Sequence, residues 1–583
     1  MTDDLVLGPL LRYVDETTAA IWVEVAQRGT VTARVGDRMF EAPTFTVHGH
    51  HYALVEVDGL EPGTSNAYDV WLGDRKVWPA ADSEFPPSRI RTLQPGRRNR
   101  VLFGSCRTSV PHDAQHNRSH GIDILRATAL ELPALDEHEW PDLVLFLGDQ
   151  VYADETSEEM REFIRARRDI GQPPGEELKD YEEYAHLYKV AWTEPANRWL
   201  LSTLPTAMIF DDHDIRDDWN TSRRWREEMN KLPWWHDRIV GGLASYWVYQ
   251  HLGNLSPVDR ADSDLWSQVR KVGRDGDAGE LLDAFAERSD RDPTFTRWSY
   301  HRDFGGNRII MLDTRSARML DEGDRRMLDD EEMQWLDSLT TGDVDHLIIG
   351  SSLPLLLPTG LHYVEAWNEA VVGGAWGPRS AKAGEKVRQG IDLEHWAAFH
   401  QSFRQVCEML AEVAGGKRGK PPATVCVLGG DVHHSYLAEA HLTGGRRRGP
   451  GHTRWRWWKP RRGRARPAAT GTVPAERADS AEPSRVVQLV CSPIRNPLPR
   501  AARFVVASAA YGVAWPIGLL AARSAKVPDP PFRWSLTDGP WFDNVLATLD
   551  LDGRRARVLW NTAEYRNGEE EPSLVPLHSA TLR

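Results

Sequence analysis

Two patterns of apolar and polar positions divide the chain. Up to about residue 95, short β-branched and aromatic runs, "AAIWVEV", "VTARVG", "HYALVEV" and "AYDVWLG", are split by Gly, Asp and Pro. Short runs with such breaks predict an all-β unit, residues 1–95. "LQPGRRNR" (93–100) reads as a linker. From 101 the pattern changes to apolar runs, "VLFGSC", "LVLFLGD", "TAMIFDDHD", "RIIMLDT", "HLIIGSS" and "TVCVLGGD", separated by longer stretches with helical spacing. Strands alternating with helices predict a layered α/β unit over 100–565. "NVLATLDLDG" and "RARVLWNTA" read as a closing hairpin.

The turn in "GLEPGTSNAYDVWLG" precedes Tyr68 and resembles the corner of a fibronectin-like sandwich, where a tyrosine hydroxyl ties back to the backbone. Residues 446–466, "RRRGPGHTRWRWWKPRRGRAR", hold ten Lys or Arg and no acid, and a Pro/Ala/Ser/Thr-rich tail follows. The stretch 443–484 therefore reads as a disordered basic insertion between two strands. Residues 504–522 are uncharged and just long enough to span a bilayer, but Pro516, Gly518 and many small residues favour a buried or interfacial helix pair.

At 583 residues, length suggests two to four domains, and 41% hydrophobic with 27% charged residues is the make-up of a soluble globular protein. A net charge of −14 argues against the whole chain being a nucleic-acid-binding protein. Cys106, Cys407, Cys426 and Cys491 form no CxxC pair, so neither a disulfide framework nor a structural zinc site is expected. The acidic start "MTDDLVLGPLLRYVDE" lacks a basic region followed by an apolar one, which points to a cytoplasmic enzyme.

Four apolar runs end in chemically useful residues: Cys106, Asp149, Asp211-Asp212-His213 and Asp431. Carboxyl ends of strands are where α/β sheets bind ligands, and they bring the O and N donors that metal ions need together from distant segments. Each piece alone has a plain structural reading: a turn at Gly148-Asp149, a solvated loop at "DDHD", a satisfied pair at His433-His434, a small buried hydrophobe at Cys106. Their order along the chain is more specific.

"FGSCRTS", "LGDQVYADE", "FDDHDIRDDWN" and "LGGDVHHSYLAEA" resemble, in that order, the signature segments of the PhoD-like (alkaline phosphatase D) metallophosphoesterases of the calcineurin-like superfamily. "MLDTRSAR" and "QLVCSPIRNPL" are similar to that family too, so the resemblance runs from about 100 to 560. It implies a calcineurin-like core of two packed sheets flanked by helices, with an accessory sandwich ahead of it. It also implies hydrolysis of phosphate mono- or diesters with ferric iron and calcium, another divalent ion in the second position remaining open.

Carried over position by position, Asp149 is a carboxylate shared between metals and Tyr152 a phenolate ligand of iron. Cys106 is a thiolate ligand that favours iron over calcium. Asp212, Asp431 and His433 fall on metal-binding positions. His213 becomes the group that steadies phosphate or protonates the leaving group. Arg107 would meet a phosphate oxygen, and His434 and Arg315 would face substrate, Arg315 pairing with Asp313 in the structural alternative. Where the family has Asn-Asn, this chain has Asp217-Asp218, which leaves open which of the two reaches calcium; Asp218 is the candidate.

The expected reaction is in-line attack at phosphorus by a metal-activated oxide or hydroxide. A second reading makes the substrate a lipid phosphodiester, with 446–466 contacting an anionic membrane surface or nucleic acid. A third makes the chain a binding protein with an inactive centre. No obligate protein partner is inferred.

Overall fold

A computed structural model describes residues 4–321, 323–441, 482–499, 503, 514–565 and 571–583. The basic run 446–466 lies outside the described residues, as does most of the 443–484 insertion.

Residues 5–91 form two facing sheets. One runs in the order Leu5–Val14, Ala19–Val25, His50–Val57, Phe45–Val47, and the other holds Arg38–Pro43, Thr30–Val35, Ser65–Leu72 and Arg75–Trp78. Strand Ala19–Val25 is buried at all seven positions. Side chains alternate across a strand, so Ile21 and Val23 fill the space between the two sheets while Ala20 and Trp22 enter a second core. That second core is shared with helices Tyr181–Trp192 and Trp235–Tyr246, so the outer face of this sheet is buried rather than solvated. The Tyr68 hydroxyl does tie to backbone, but that of a distant segment. It donates to the carbonyl of Ser202, 2.6 Å away in helix Pro195–Thr203, instead of closing a local corner.

The remainder is α/β. A six-stranded sheet has Thr206–Ile209, Leu143–Leu147 and Asn99–Gly104 in parallel, followed by antiparallel Leu546–Asp552, Arg555–Glu564 and Ser573–Thr581. The expected closing hairpin thus gains a third strand. A seven-stranded sheet runs Tyr300–Phe304, Asn307–Leu312, His346–Ser351, Thr424–Gly429, Arg485–Val490, Ser435–His441, Arg533–Trp541. Phe103, Leu145 and Ile209 of the first sheet share one core with Met311, Ile348, Leu428 and Leu489 of the second. Opposite faces of the sheets lie under helices, with Val144 and Phe146 on one side and Ile349 and Val427 on the other. Helix, sheet, sheet and helix form the layers.

Helix Ala514–Ser524 covers the described end of the 504–522 stretch and rests on helix Thr359–Val372, where a Cβ at Gly518 would lie 2.8 Å from the Gly360 carbonyl. Among the described residues no helix is long and apolar enough to cross a membrane. All four cysteines are buried and unpaired.

Candidate metal centre

In the first sheet Gly104 pairs with Phe146, and Phe146 with Met208. Their strands therefore end level, releasing Cys106, Asp149 and Asp211 at one edge. In the second sheet Gly350 pairs with Leu428 and Gly429 with Val490, so Ser352, Asp431 and Ser492 leave that sheet close together. The two edges meet: the Asp431 N–H donates to Ser105 Oγ at 3.2 Å, and a Cβ at Gly430 would stand 2.4 Å from the same oxygen.

The turns that follow are strained. Ten described non-glycine residues have positive φ, and five of them are Cys106, Asp149, Asp218, Asp431 and His433. Gly148 precedes Asp149 at φ +105°, where a Cβ would lie 2.5 Å from that of Asp211. Such strain gathers where the fold holds side chains for a purpose other than stability.

Donor atoms of Cys106, Asp149 and His433 lie within 4.8 Å of one another, as do those of Asp149, Asp211 and Asp212, and those of Asp212, His213 and Asp217. Asp149 belongs to the first two groups. Cys106 Sγ is 3.3 Å from Asp149 Oδ2 and 3.3 Å from Ser492 Oγ. The Tyr152 hydroxyl is 3.5 Å from Asp149 Oδ2, and its ring stacks on His213 with centroids 4.6 Å apart. Beside Tyr152 and Asp154 opens a cavity of about 470 Å³, lined also by His116, His120, Glu155 and Arg161.

The donor set fits cations. Asp149 Oδ1, Asp211 Oδ2 and Asp218 Oδ1 are buried and have no hydrogen-bond partner among the described residues. Burial, with Cys106 and Asp211 alongside, holds the Asp149 carboxyl well above its usual range. Burial and the neighbouring Glu394 and Asp392 push Asp218 up to about 9. Burial, then Asp431, pushes the Cys106 thiol up to about 12. Carboxyls and a thiol crowded this way ionise together only beside positive charge. A thiol and an imidazole suit a transition metal, and the carboxylates suit a hard cation.

Several expected residues have other partners. The buried guanidinium of Arg107 donates to Asp123 Oδ2 at 2.7 and 3.1 Å and to the Ala191 carbonyl at 2.8 Å. Each of its three side-chain nitrogens is thus engaged. Arg315 is fully buried among four carboxylates, bonded to Asp211, 3.1 Å from Asp212, 2.5 Å from Glu394 and 3.5 Å from Asp431. Its expected pairing with Asp313 is not made, since the Asp313 carboxylate accepts the backbone N–H groups of Arg315, Ser316 and Ala317. His434 is buried, with Nδ1 2.7 Å from the Val432 carbonyl and its ring against Phe542. Asp217 stands 3.9 Å from His213 Nε2, whereas the Asp218 N–H donates to Asp212 Oδ2.

Other residues at the centre went unread in the sequence. Asp154 holds His213 Nδ1 at 2.9 Å, and only its place in the Asp149–Tyr152 motif pointed to it. His395 links Asp431 Oδ2 at 3.1 Å to Glu365 Oε1 at 2.7 Å. His395 follows no strand and Glu365 lies within helix Thr359–Val372, so neither carried a signal.

A family model described as PhoD-like phosphatase matches residues 132–454, more than half of the chain. The chain belongs to the PhoD-like phosphatase family. A second model, a domain of unknown function (DUF7800), matches residues 2–90. A solved structure titled "Structure of PhoD" is similar in fold, with a TM-score of 0.56 and 13% identity over 99% of this chain and 90% of that one. No curated protein matches.

Proposed function

We propose that this PhoD-like phosphatase hydrolyses phosphate mono- or diesters at a metal-dependent centre built from Cys106, Asp149, Tyr152, Asp212, Asp431 and His433, on a calcineurin-like core. One observation carries the reading: the Cys106, Asp149 and His433 donors converge within 4.8 Å, and Asp149 is shared with the carboxylate group of Asp211 and Asp212. Cys106, Tyr152 and His433 would suit iron, and Asp149 with Asp211 and Asp212 would suit calcium or another divalent ion. The chemistry supplied by cations there is Lewis acidity toward the phosphoryl oxygens and the attacking water.

The chain's own residues do the rest. Burial would lower the His213 pKa, but Asp154 and Asp212 outweigh it and hold it well above the ordinary value. His213 is therefore the proton donor to the leaving-group oxygen, with Asp154 fixing Nδ1 so that Nε2 carries the transferable proton. The cavity beside Tyr152 and Asp154 receives the leaving group. Arg315 holds Asp211, Asp212 and Asp431 in mutual register.

The test combines metal analysis with hydrolysis of p-nitrophenyl phosphate and its bis-ester. Wild type should contain iron and hydrolyse at least one ester, and Asp149→Ala should do neither. Equal rates in both proteins would overturn the reading.

A further inference from the structure

Helix Trp235–Tyr246 does not run straight into the short helix Leu252–Asn254; a π-helical turn, Trp247–His251, lies between them. A turn of this kind re-aims side chains and is frequent at functional sites. Here Tyr249 and Gln250 are both buried. Gln250 Nε2 donates to Asp214 Oδ1 at 3.3 Å and to the Tyr188 hydroxyl at 3.0 Å. The other carboxylate oxygen of Asp214 accepts the backbone N–H groups of Asp149 and Asp211, each at 2.9 Å. One buried carboxylate thus pins the tips of two adjacent strands at the residues that carry the centre.

The turn is itself held from the N-terminal sandwich. Arg12, fully buried in strand Leu5–Val14, donates to the carbonyl of Tyr249 at 3.1 Å, to that of Gln250 at 2.6 Å and to Asn254 Oδ1 at 3.0 Å. Asn254 continues to the N–H and carbonyl of Met208, in the strand that leads to Asp211. Gly253 leaves room for this reach, because a Cβ there would lie 2.4 Å from Arg12 Nε. In strand Ala19–Val25, Glu24 accepts the Tyr249 hydroxyl at 2.9 Å. A loosely attached accessory domain makes polar surface contacts. Burying a guanidinium is costly unless it is hydrogen-bonded, and of the four acceptors on the two terminal nitrogens of Arg12 only Met208 Sδ, at 3.4 Å, lies outside the turn and the short helix after it.

We infer that the N-terminal β-sandwich is a positioning element for the hydrolytic centre: Arg12 and Glu24 fix the π-turn, Gln250 fixes Asp214, and Asp214 fixes the backbone of Asp149 and Asp211. This rests on the proposed reading of that centre. Gln250 and Asp214 are positioning residues that act through Asp149 and Asp211.

The test uses the full chain carrying Gln250→Leu. Amide hydrogen exchange in 148–152 and 210–214 should rise about tenfold or more, reporting local opening at unchanged global stability. The kcat for bis(p-nitrophenyl) phosphate should fall roughly 10- to 100-fold, as for other residues that orient metal ligands, with little change in KM. Arg12→Met should loosen the same two loops. Asp214→Asn keeps an oxygen for both backbone N–H groups and an amide for a turned-over Gln250, so it should recover most of the rate lost in Asp214→Ala. A folded Gln250→Leu protein with wild-type exchange in both loops overturns the inference, as does a lowered unfolding midpoint without a change in kcat. Should wild type hydrolyse no phosphate ester, the exchange measurement still decides the positioning role, so the two readings fail separately.

Discussion

Nδ1 of His213 lies 2.9 Å from Oδ1 of Asp154, and the same carboxylate accepts the Asp217 N–H at 2.7 Å. This relationship fixes the ring tautomer and, with Asp212, raises the basicity of the imidazole against its burial. If His213 protonates the leaving group, the protonated form is the active one and activity falls as pH rises through its pKa. Asp154→Asn removes the charge, lowers that pKa and moves the basic limb of the kcat profile to lower pH. The rate at the optimum should drop by about 10²-fold, the usual scale for a disturbed general acid. An unmoved basic limb would take the proton-donor role away from His213.

Arg107 gives a prediction about stability. It is 3% exposed and its partner Asp123 1%. Burial alone would raise Asp123, but the charge and hydrogen bonds of Arg107 hold it far below the usual carboxylate range. A depressed carboxylate contributes stability that is present above its unfolded pKa, about 3.9, and lost as pH falls toward the folded value. Arg107→Met should therefore cost about 3–5 kcal/mol at neutral pH, the scale for orphaning a buried charge, and the deficit should narrow below pH 4. Urea unfolding at pH 7 and pH 3 reads it. Wild-type stability with a greatly raised KM would place Arg107 on the phosphate instead.

The difference between Arg107 and His213 shows what the sequence could tell. Strand ends were legible because five apolar residues running into Gly148-Asp149 have the length and the abrupt polar stop of a buried strand. The α/β layering and the all-β start followed from the same periodicity. Side-chain direction was not legible: Arg107 follows Cys106 directly, yet its guanidinium turns to Asp123, sixteen residues on. Nor was the burial of the sandwich's outer face, because a strand buried on both sides, "AAIWVEV", reads the same whichever layer covers it. His395 and Glu365 depend on tertiary approach alone.

Tyr152 offers an optical readout. The residue is buried, and burial, then Cys106 and Asp149, keeps the phenol well above its usual pKa in the absence of a cation. Ferric iron at the Cys106–Asp149–His433 group would draw off that proton, since a bound ion inverts local pKa logic. Iron-loaded protein should then be violet to pink from a phenolate charge-transfer band. Tyr152→Phe should lose the band while keeping most of its iron through the remaining donors. Colour that survives this substitution would place the phenol off the metal.

Glu365 and His395 carry the last prediction. Glu365 is fully buried, its Oε1 2.7 Å from His395 Nδ1, and His395 Nε2 reaches Asp431 Oδ2 at 3.1 Å. Burial alone would raise the Asp431 pKa, but His395 and Arg315 reverse it and keep the carboxylate ionised. An ionised carboxylate in a fixed rotamer is what a cation requires, and partners behind a ligand commonly set its affinity. Glu365→Ala frees the His395 ring to rotate and leaves Asp431 without its anchor. Metal affinity, measured by competition with a chromogenic chelator, should fall about 10- to 100-fold, and kcat with it. Glu365→Gln keeps an acceptor oxygen and should lose less of both. A merely structural contact behaves differently: Glu365→Ala would lower the unfolding midpoint while the folded protein kept wild-type metal affinity, and that outcome would detach the pair from the centre.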